Sequence, residues 1–252
     1  MTPEIRTLAD AEAIAHVAAG EFCRRCAAAV AEGGRFTAVL SGGSTPRLLF
    51  RELACEPARS LPWETIHIFW GDERTVPPDH PDSNFRTAWD ELLSHVAVPA
   101  ANIHRLHGED LDPAAAAAGY EADLRAFFDL GPGQLPRFDL VFLGMGGDGH
   151  TASLFPGSGA LIEPTHLAVA PWVDSLSVRR LTLTSRVFNA AACVVFLVAG
   201  GDKAAALRRV LEGPRHPLDL PSQGIVPPDG DLVWLVDQAA ARLLSPRAVP
   251  AR

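Results

Sequence analysis

The chain has 252 residues, of which 48% are apolar and 21% charged, a composition typical of a soluble globular protein. Its net charge of −8 disfavours non-specific nucleic-acid binding, although a local cationic pocket can still bind a small anion. No apolar run approaches the ~18 residues of a membrane span, and the N-terminus lacks the apolar core of a signal peptide. We therefore expect a cytoplasmic protein with no membrane or nucleic-acid partner.

Apolar runs and Ala-rich stretches alternate along the chain and predict strands and helices in turn. From the N-terminus, the predicted elements are helix 10–32, strand 36–40, helix 47–53, strand 66–70, helices 83–94 and 113–130, strands 138–143, 166–170, 180–184 and 193–199, a helix following Lys203 to Leu211, strand 232–236 and a short terminal helix. Residues 71–82 and 214–229 are Pro-rich and predict loops. Continuous apolar strands are typical of a mainly parallel sheet with helices on both faces, so we predict one α/β domain over residues 1–252.

The four cysteines do not suggest a disulfide framework in a chain of this length. Cys23 and Cys26 form a CxxC pair inside an Ala-rich helical stretch, with no second pair and no histidine nearby. We therefore interpret them as ordinary helix residues rather than as a metal or redox site, which fits a reducing compartment.

The segment Gly144–Gly157, called the glycine corner below, follows the apolar strand 138–143 and contains five glycines, Asp148 and His150. Glycines let backbone N–H groups approach a ligand closely, and open α/β sheets bind ligands at the carboxyl ends of strands. In this predicted strand-to-helix corner His150 is a candidate acid or base, and Asp148 is spaced to bind the imidazole or a ligand hydroxyl. The alternative, a structural histidine, is disfavoured by the density of glycines and polar groups.

A second Gly-rich turn, residues 41–46, follows strand 36–40 and precedes a predicted helix. Its backbone N–H groups and the positive end of the helix favour a bound phosphate. The turn lacks the Walker pattern because no lysine follows its glycines, and a plain tight turn with a serine N-cap is the alternative. Its candidate ligand-binding members are Ser41, Gly42, Gly43, Ser44 and Thr45.

Three charged residues, Asp72, Glu73 and Arg74, follow strand 66–70 directly. Two carboxylates and a guanidinium at a strand end could orient a polyol or polarise a carbonyl. A surface salt-bridge cluster is the alternative interpretation of these residues.

Two further cations are candidates for binding a phosphate. Arg180 begins a predicted strand, and Lys203 is the only lysine among the 22 Lys and Arg residues. A phosphate with nearly two negative charges is best bound by cations together with N–H groups. Arg179 is an alternative to Arg180, and each residue considered alone would be assigned to the solvated surface.

Taken together, these motifs resemble, in order and spacing, those of the 6-phosphogluconolactonases, which form a larger family with glucosamine-6-phosphate deaminases. The match covers nearly the whole chain, at residues 41–46, 71–74, 83–84, 144–157, 180–184 and 201–203. The glycine corner is the most specific of these segments. The resemblance implies a Rossmann-like, doubly wound fold that binds a hexose phosphate and needs neither a metal nor an organic cofactor.

The resemblance also implies roles. The 41–46 turn, Arg180 and Lys203 would bind the phosphate, His150 would activate water against a lactone carbonyl, and Asp72 and Arg74 would lie beside the sugar ring. A δ-lactone is already an activated ester, so a positioned base, worth about 10²–10⁴-fold, and rigid binding would suffice. Glycine-corner N–H groups or Arg74 would stabilise the oxyanion. We thus expect hydrolysis of 6-phospho-D-glucono-1,5-lactone to 6-phosphogluconate in the oxidative pentose phosphate pathway, by a monomer or, as the alternative, a homodimer.

Rival functions fit these residues less well. The deaminases carry a Glu before the Pro-Gly that closes the glycine corner, whereas this chain has Phe155, which cannot shuttle a proton; Arg74 replaces their aromatic residue. Sugar-phosphate sensors of bacterial regulators need a helix-turn-helix, and the acidic N-terminal helix offers none. Serine hydrolysis lacks a G-x-S-x-G elbow, and metal hydrolysis lacks an HExxH or comparable ligand set.

Overall fold

A seven-stranded parallel sheet forms the centre of the molecule, of which the computed structural model describes residues 3–245. Every neighbouring pair in this sheet is parallel. In spatial order its strands are β1 (Glu4–Leu8), β11 (Asp231–Asp237), β10 (Cys193–Val198), β6 (Leu140–Gly144), β2 (Phe36–Leu40), β3 (Ile66–Trp70) and β5 (Ile103–His104).

Helices connect these strands, and side chains of the preceding residues begin several of them. The Asp10 carboxylate accepts a hydrogen bond from the Ala13 N–H at 2.8 Å, and Asp112 precedes a proline at the first position of the next long helix. Within residues 3–245 the α-helices are α1 (Ala11–Gly33), α2 (Ser44–Leu53), α3 (Asn84–Glu91), α4 (Pro113–Phe127), α5 (Ser185–Asn189), α6 (Ala204–Glu212) and α7 (Gln238–Ala241).

The chain crosses the sheet in two directions. From β2 it continues through β3 to β5 at one edge, then returns to β6 and proceeds through β10 to β11. Because parallel crossovers are right-handed, this reversal places the helices of the two halves on opposite faces. Every residue of β2 and of β10 is buried, which requires cover on both faces. The predicted doubly wound, mainly parallel sheet is confirmed.

A small antiparallel sheet is attached to the carboxyl end of β3. Its strands β4 (Asp72–Arg74), β7 (Ala168–Val169) and β8 (Trp172–Val173) all pair with β9 (Val178–Leu183). Gly71 joins the two sheets, since its N–H donates to the Leu40 carbonyl at 2.9 Å and its carbonyl accepts from the Leu183 N–H at 2.8 Å. Side chains of β4 and β9 are thereby held above the end of the parallel sheet.

The long predicted helices and the apolar strands of the main sheet are confirmed, with shifted ends. The short strands β1, β4, β5 and β8 are absent from the prediction; β4, inside the predicted loop 71–82, contains no apolar residue. The predicted strand 166–170 shortens to Ala168–Val169. The predicted strand-to-helix form of the glycine corner is wrong: its turns close on themselves through Gly149 N–H to Gly146 O at 3.0 Å and Gly146 N–H to His150 O at 2.9 Å.

The cysteines are not paired in disulfides, and the CxxC residues lie on α1 as expected. Cys26 is fully buried, and burial raises the pKa of its thiol to about 11, which keeps it in the unreactive protonated form. None of the helices within residues 3–245 has the length and apolar character needed to cross a bilayer.

The edge strand β5 contains a histidine that burial holds in the neutral form. The ring of His104 stacks on Phe69 with centroids 4.2 Å apart, and its Nε2 lies 3.1 Å from Nδ1 of His67. Burial first, and then the charge of His67, lower the pKa of His104 from 6.5 to about 4. At pH values between about 4 and 6.5, His104 therefore binds a proton in the unfolded chain but not in the folded chain.

This linkage predicts that the protein loses stability as the pH falls from 6.5 towards 4, and that His104→Asn removes part of the loss. Because the ring is only half-buried, we expect the fall in unfolding free energy from pH 7.5 to pH 5 to be smaller by about 1 kcal/mol in the variant. Urea unfolding of both proteins at pH 7.5 and pH 5 measures this difference in unfolding free energy. An identical pH dependence in both proteins would contradict the assignment.

Candidate active site

The carboxyl ends of four adjacent strands, in the order β10, β6, β2 and β3, meet at one edge of the parallel sheet. The loops that leave these strands surround a cavity of about 250 Å³. It lies at the point where the chain reverses direction across the sheet, between β6 and β2, which is where open α/β sheets bind ligands. Its lining includes the 42–46 turn, Asp72, Arg74, His150 and Lys203.

One end of this cavity is suited to an anion. Gly43 is the N-cap of α2, and no side chain of residues 3–245 caps that helix, so the N–H groups of its first turn remain available to a ligand. Lys203 lines the same cavity, where its Nζ lies 3.0 Å from the exposed carboxylate of Asp202. Ser41 is not among the residues that line the cavity, and its buried hydroxyl donates to the Phe142 carbonyl at 2.8 Å, which connects β2 to β6.

His150 lies in the same cavity and is oriented from two sides. Its Nδ1 is 2.6 Å from Oδ1 of Asp148, and its ring stacks on Phe155 with centroids 4.2 Å apart. A side chain at Gly146 would overlap the imidazole, so only glycine fits beneath it. Since an ionised carboxylate can only accept, Nδ1 carries a hydrogen, and the lone pair of the neutral imidazole is then on Nε2.

Asp148 is ionised next to His150. Burial alone would raise the pKa of its carboxyl, but the His150 backbone N–H at 3.0 Å and the charge of the imidazole lower that pKa below its ordinary value. The pair is therefore arranged so that a proton arriving at Nε2 is stabilised by a neighbouring anion. This is the arrangement that a general base requires.

The residues after His150 connect the glycine corner to the small sheet. The Thr151 hydroxyl donates to the Gly144 carbonyl at 2.8 Å, and the Ser153 hydroxyl donates to Oδ2 of Asp72 at 2.7 Å. Between them Ala152 has a φ of 46°, a left-handed conformation unusual for a residue with a side chain. This turn fixes the distance between the His150 loop and β4.

The register of β4 and β9 decides which side chains face the cavity. Asp72 pairs with Thr182 and Arg74 pairs with Arg180 in the antiparallel ladder. Side chains alternate along a strand and directly opposite residues share a face, so all four project on one side. Glu73 projects on the other side.

The side chains of Asp72 and Glu73 consequently lie in different surroundings. Oδ1 and Oδ2 of Asp72 accept hydrogen bonds from Asn84 and Ser153, respectively, and the side chain lines the cavity. Glu73 is buried and accepts from the N–H groups of Asn84 and Phe85 at 2.7 and 2.8 Å, at the start of α3. Burial raises the pKa of Glu73 despite these bonds. Glu73 therefore has a structural role, and of these two carboxylates only Asp72 lines the cavity.

The structure brings together most of the predicted site but separates Arg180 from Lys203. Arg180 lines a second cavity of about 370 Å³, which adjoins the first and shares Asp72, Arg74, His150 and Ala152 with it. Arg179 is exposed on the opposite face of β9 and donates to the Ala170 carbonyl at 2.9 Å. Of the two neighbouring arginines, Arg180 is therefore the one that reaches the site.

Sequence reasoning assigns no role to Asn84 or Ser153. Both are buried and both bind Asp72. In the sequence, Asn84 and Ser153 are marked only by lying in two of the segments that match the family, residues 83–84 and 144–157. Within residues 3–245, no three His, Cys, Asp or Glu side chains converge in a way that could hold a metal ion.

Comparison with known proteins places this chain in a family. Residues 9–234 match the family model described as glucosamine-6-phosphate isomerases/6-phosphogluconolactonase. A 6-phosphogluconolactonase of Nostoc sp. is 47% identical over 86% of this chain and 88% of its own, and that of Synechocystis sp. is 42% identical over 98% and 100%. The crystal structure of 6-phosphogluconolactonase from Leishmania guyanensis superposes with a TM-score of 0.86 at 30% identity, covering 97% of this chain and 100% of that one. The chain belongs to the glucosamine-6-phosphate isomerase/6-phosphogluconolactonase family.

Proposed function

We propose that the protein hydrolyses 6-phospho-D-glucono-1,5-lactone to 6-phosphogluconate, the lactonase step of the oxidative pentose phosphate pathway. The observation that carries the proposal is the oriented His150–Asp148 pair in one cavity with the uncapped end of α2 and Lys203. The lactonase names of the relatives at 42% and 47% identity support it. The unpaired cysteines fit a cytoplasmic location, and a site built from one chain fits a monomer.

In the proposed complex, the phosphate binds at the N-terminal turn of α2 and to Lys203. The N–H groups of Ser44 and Thr45 and the positive end of the helix attract the dianion, and the ammonium group adds a full charge. The exposed Asp202 carboxylate, 3.0 Å from Nζ, gives way to the substrate phosphate as the partner of Lys203. With the phosphate held there, the lactone ring extends towards His150.

The chemistry then requires one base. A water molecule attacks the lactone carbonyl carbon while Nε2 of His150 takes its proton, and negative charge appears on the carbonyl oxygen. Collapse of this tetrahedral intermediate breaks the bond between C1 and the ring oxygen, and the imidazolium returns the proton to that leaving oxygen. The new carboxylic acid ionises to give the open-chain product. Asp148 stabilises the imidazolium through its bond to Nδ1.

Hydrolysis fits position 155 better than deamination with isomerisation does. Moving a proton between adjacent sugar carbons needs an acid–base group beside the ring, and here the Phe155 ring covers the imidazole instead. The stacked ring restrains His150 but can neither donate nor accept a proton. An aldose–ketose conversion would therefore lack one of its groups.

Substitution of the base tests the mechanism. We expect His150→Asn to lower kcat for the lactone by roughly 10²–10⁴-fold, because the general base is lost. The Kd for 6-phosphogluconate should change by less than about threefold, since the phosphate end of the cavity is intact. Lactone assays corrected for spontaneous hydrolysis, with calorimetric binding, provide both numbers.

The matched control is His166→Asn, at a histidine outside the cleft with a side chain 63% exposed; its rate should equal that of the wild type. Full lactonase activity in the His150 variant would remove this residue from the mechanism. Release of ammonia from glucosamine 6-phosphate by the wild type would overturn the proposed reaction.

Lys203→Gln tests the phosphate site. Losing a charge-assisted contact in the ground state and the transition state alike should raise KM by roughly 10–100-fold and leave kcat within about threefold. Arg208→Gln, at an exposed residue of α6, is the control and should have wild-type constants. A variant that lowers kcat and leaves KM unchanged would contradict an anchoring role.

A further inference from the structure

Arg74 and Arg180 form a like-charged pair directly across the small antiparallel sheet. They are register partners in the β4–β9 ladder, and both project towards the cavities that contain His150. Like charges directly opposite each other on two strands destabilise a sheet. A bound anion at this cavity wall would relieve the repulsion between the two guanidinium groups.

No carboxylate among the described residues forms an ion pair with either arginine, although the charges of Asp72, Asp82 and Glu73 partly offset that of Arg180. Neither arginine has an acidic partner within 4.0 Å among residues 3–245. Arg74 donates to the backbone carbonyl of Asp82, and Arg180 makes no side-chain hydrogen bond within this range. Both carboxylate oxygens of Asp72, which lines the same cavity, accept hydrogen bonds from Asn84 and Ser153.

The half-buried position of Arg180 further disfavours its charged form. Burial first, and the neighbouring Arg74 second, lower the pKa of its guanidinium from the ordinary value. The charges of Asp72, Asp82 and Glu73 act in the opposite direction and raise this pKa. The Arg180 guanidinium is therefore partly desolvated, and its N–H donors make no hydrogen bond to residues 3–245, the conditions under which a guanidinium binds an oxyanion strongly.

The position of Arg74 and Arg180 relative to Lys203 indicates which end of a phosphorylated ligand they would contact. Lys203 and the α2 turn line the first cavity only, Arg180 lines the second only, and His150 and Arg74 line both. If a phosphorylated sugar is anchored at Lys203 with its C1 at His150, the pair lies on the C1 side of the ligand. The oxygen atoms at that end become charged only as the reaction proceeds.

We propose that Arg180, together with Arg74, binds the charged oxygens at C1: the oxyanion of the tetrahedral intermediate and then the carboxylate of the product. The inference rests on the proposed lactonase function and assigns Arg180 to the opposite end of the ligand from the phosphate. It makes Arg180 a catalytic residue, because a neutral lactone carbonyl offers the guanidinium little until it gains charge.

Equilibrium binding distinguishes the two ends of the ligand. The probes are 6-phosphogluconate, which has a phosphate and a carboxylate, and glucitol 6-phosphate, which has the phosphate alone. We expect Arg180→Gln to raise the calorimetric Kd of 6-phosphogluconate by about 10–100-fold and that of glucitol 6-phosphate by less than about twofold. Lys203→Gln should weaken both probes by similar factors.

Arg179→Gln is the matched control, since this neighbouring arginine lies on the opposite face of β9 and should affect neither probe. Equal weakening of both probes by Arg180→Gln would put the phosphate on the arginine pair and overturn the proposal, and so would no weakening of either. These measurements need no turnover, so they are separable from wild-type lactonase activity, which tests the proposed function itself.

Two further readouts separate a catalytic from a structural role. With the lactone as substrate, Arg180→Gln should lower kcat by at least roughly tenfold with KM within about twofold, because the contact forms in the transition state. Removing one of two like charges should also raise Tm by about 1–3 °C in the ligand-free protein. A lower Tm with unchanged kcat would assign Arg180 to the scaffold instead.

Discussion

Parallel pairing of β10, β6, β2 and β3 is the constraint on which the site depends. Four strands that point the same way must end at the same edge, and the reversal of chain direction between β6 and β2 leaves a crevice there. The 42–46 turn, the glycine corner and the loop before α6 leave the sheet at this edge. Because β2 and β10 are buried along their whole lengths, a register slip would disrupt close packing on both faces, so the loops are held in fixed relative positions.

The small antiparallel sheet determines which charged side chains face the cavity. Its ladder selects Asp72 and Arg74 for the cavity and turns Glu73 away, where the buried carboxylate starts α3. The same ladder is joined to the glycine corner through Ser153. One short strand thus couples the end of the main sheet to the His150 loop, which explains how residues far apart in sequence keep a single geometry.

The site retains features that cost stability. Ala152 adopts a left-handed backbone, and Arg74 and Arg180 are register partners that form no ion pair with any of residues 3–245. Both features are locally unfavourable and are offset by the large apolar core around the parallel sheet. Such departures from local preference are expected where a binding site is pre-organised for a charged ligand.

The sequence by itself determined the α/β class, the long helices, the apolar strands and the identity of the glycine corner, because these depend on local periodicity and on a local density of glycines and polar residues. It did not reveal strand β4, which contains only charged residues, or the closed turns that replace the predicted helix after β6. Only the tertiary structure decided that Glu73 is structural, that Arg180 rather than Arg179 faces the site, and that Arg180 and Lys203 line different cavities. These distinctions depend on strand register and on contacts between distant segments, which no local pattern encodes.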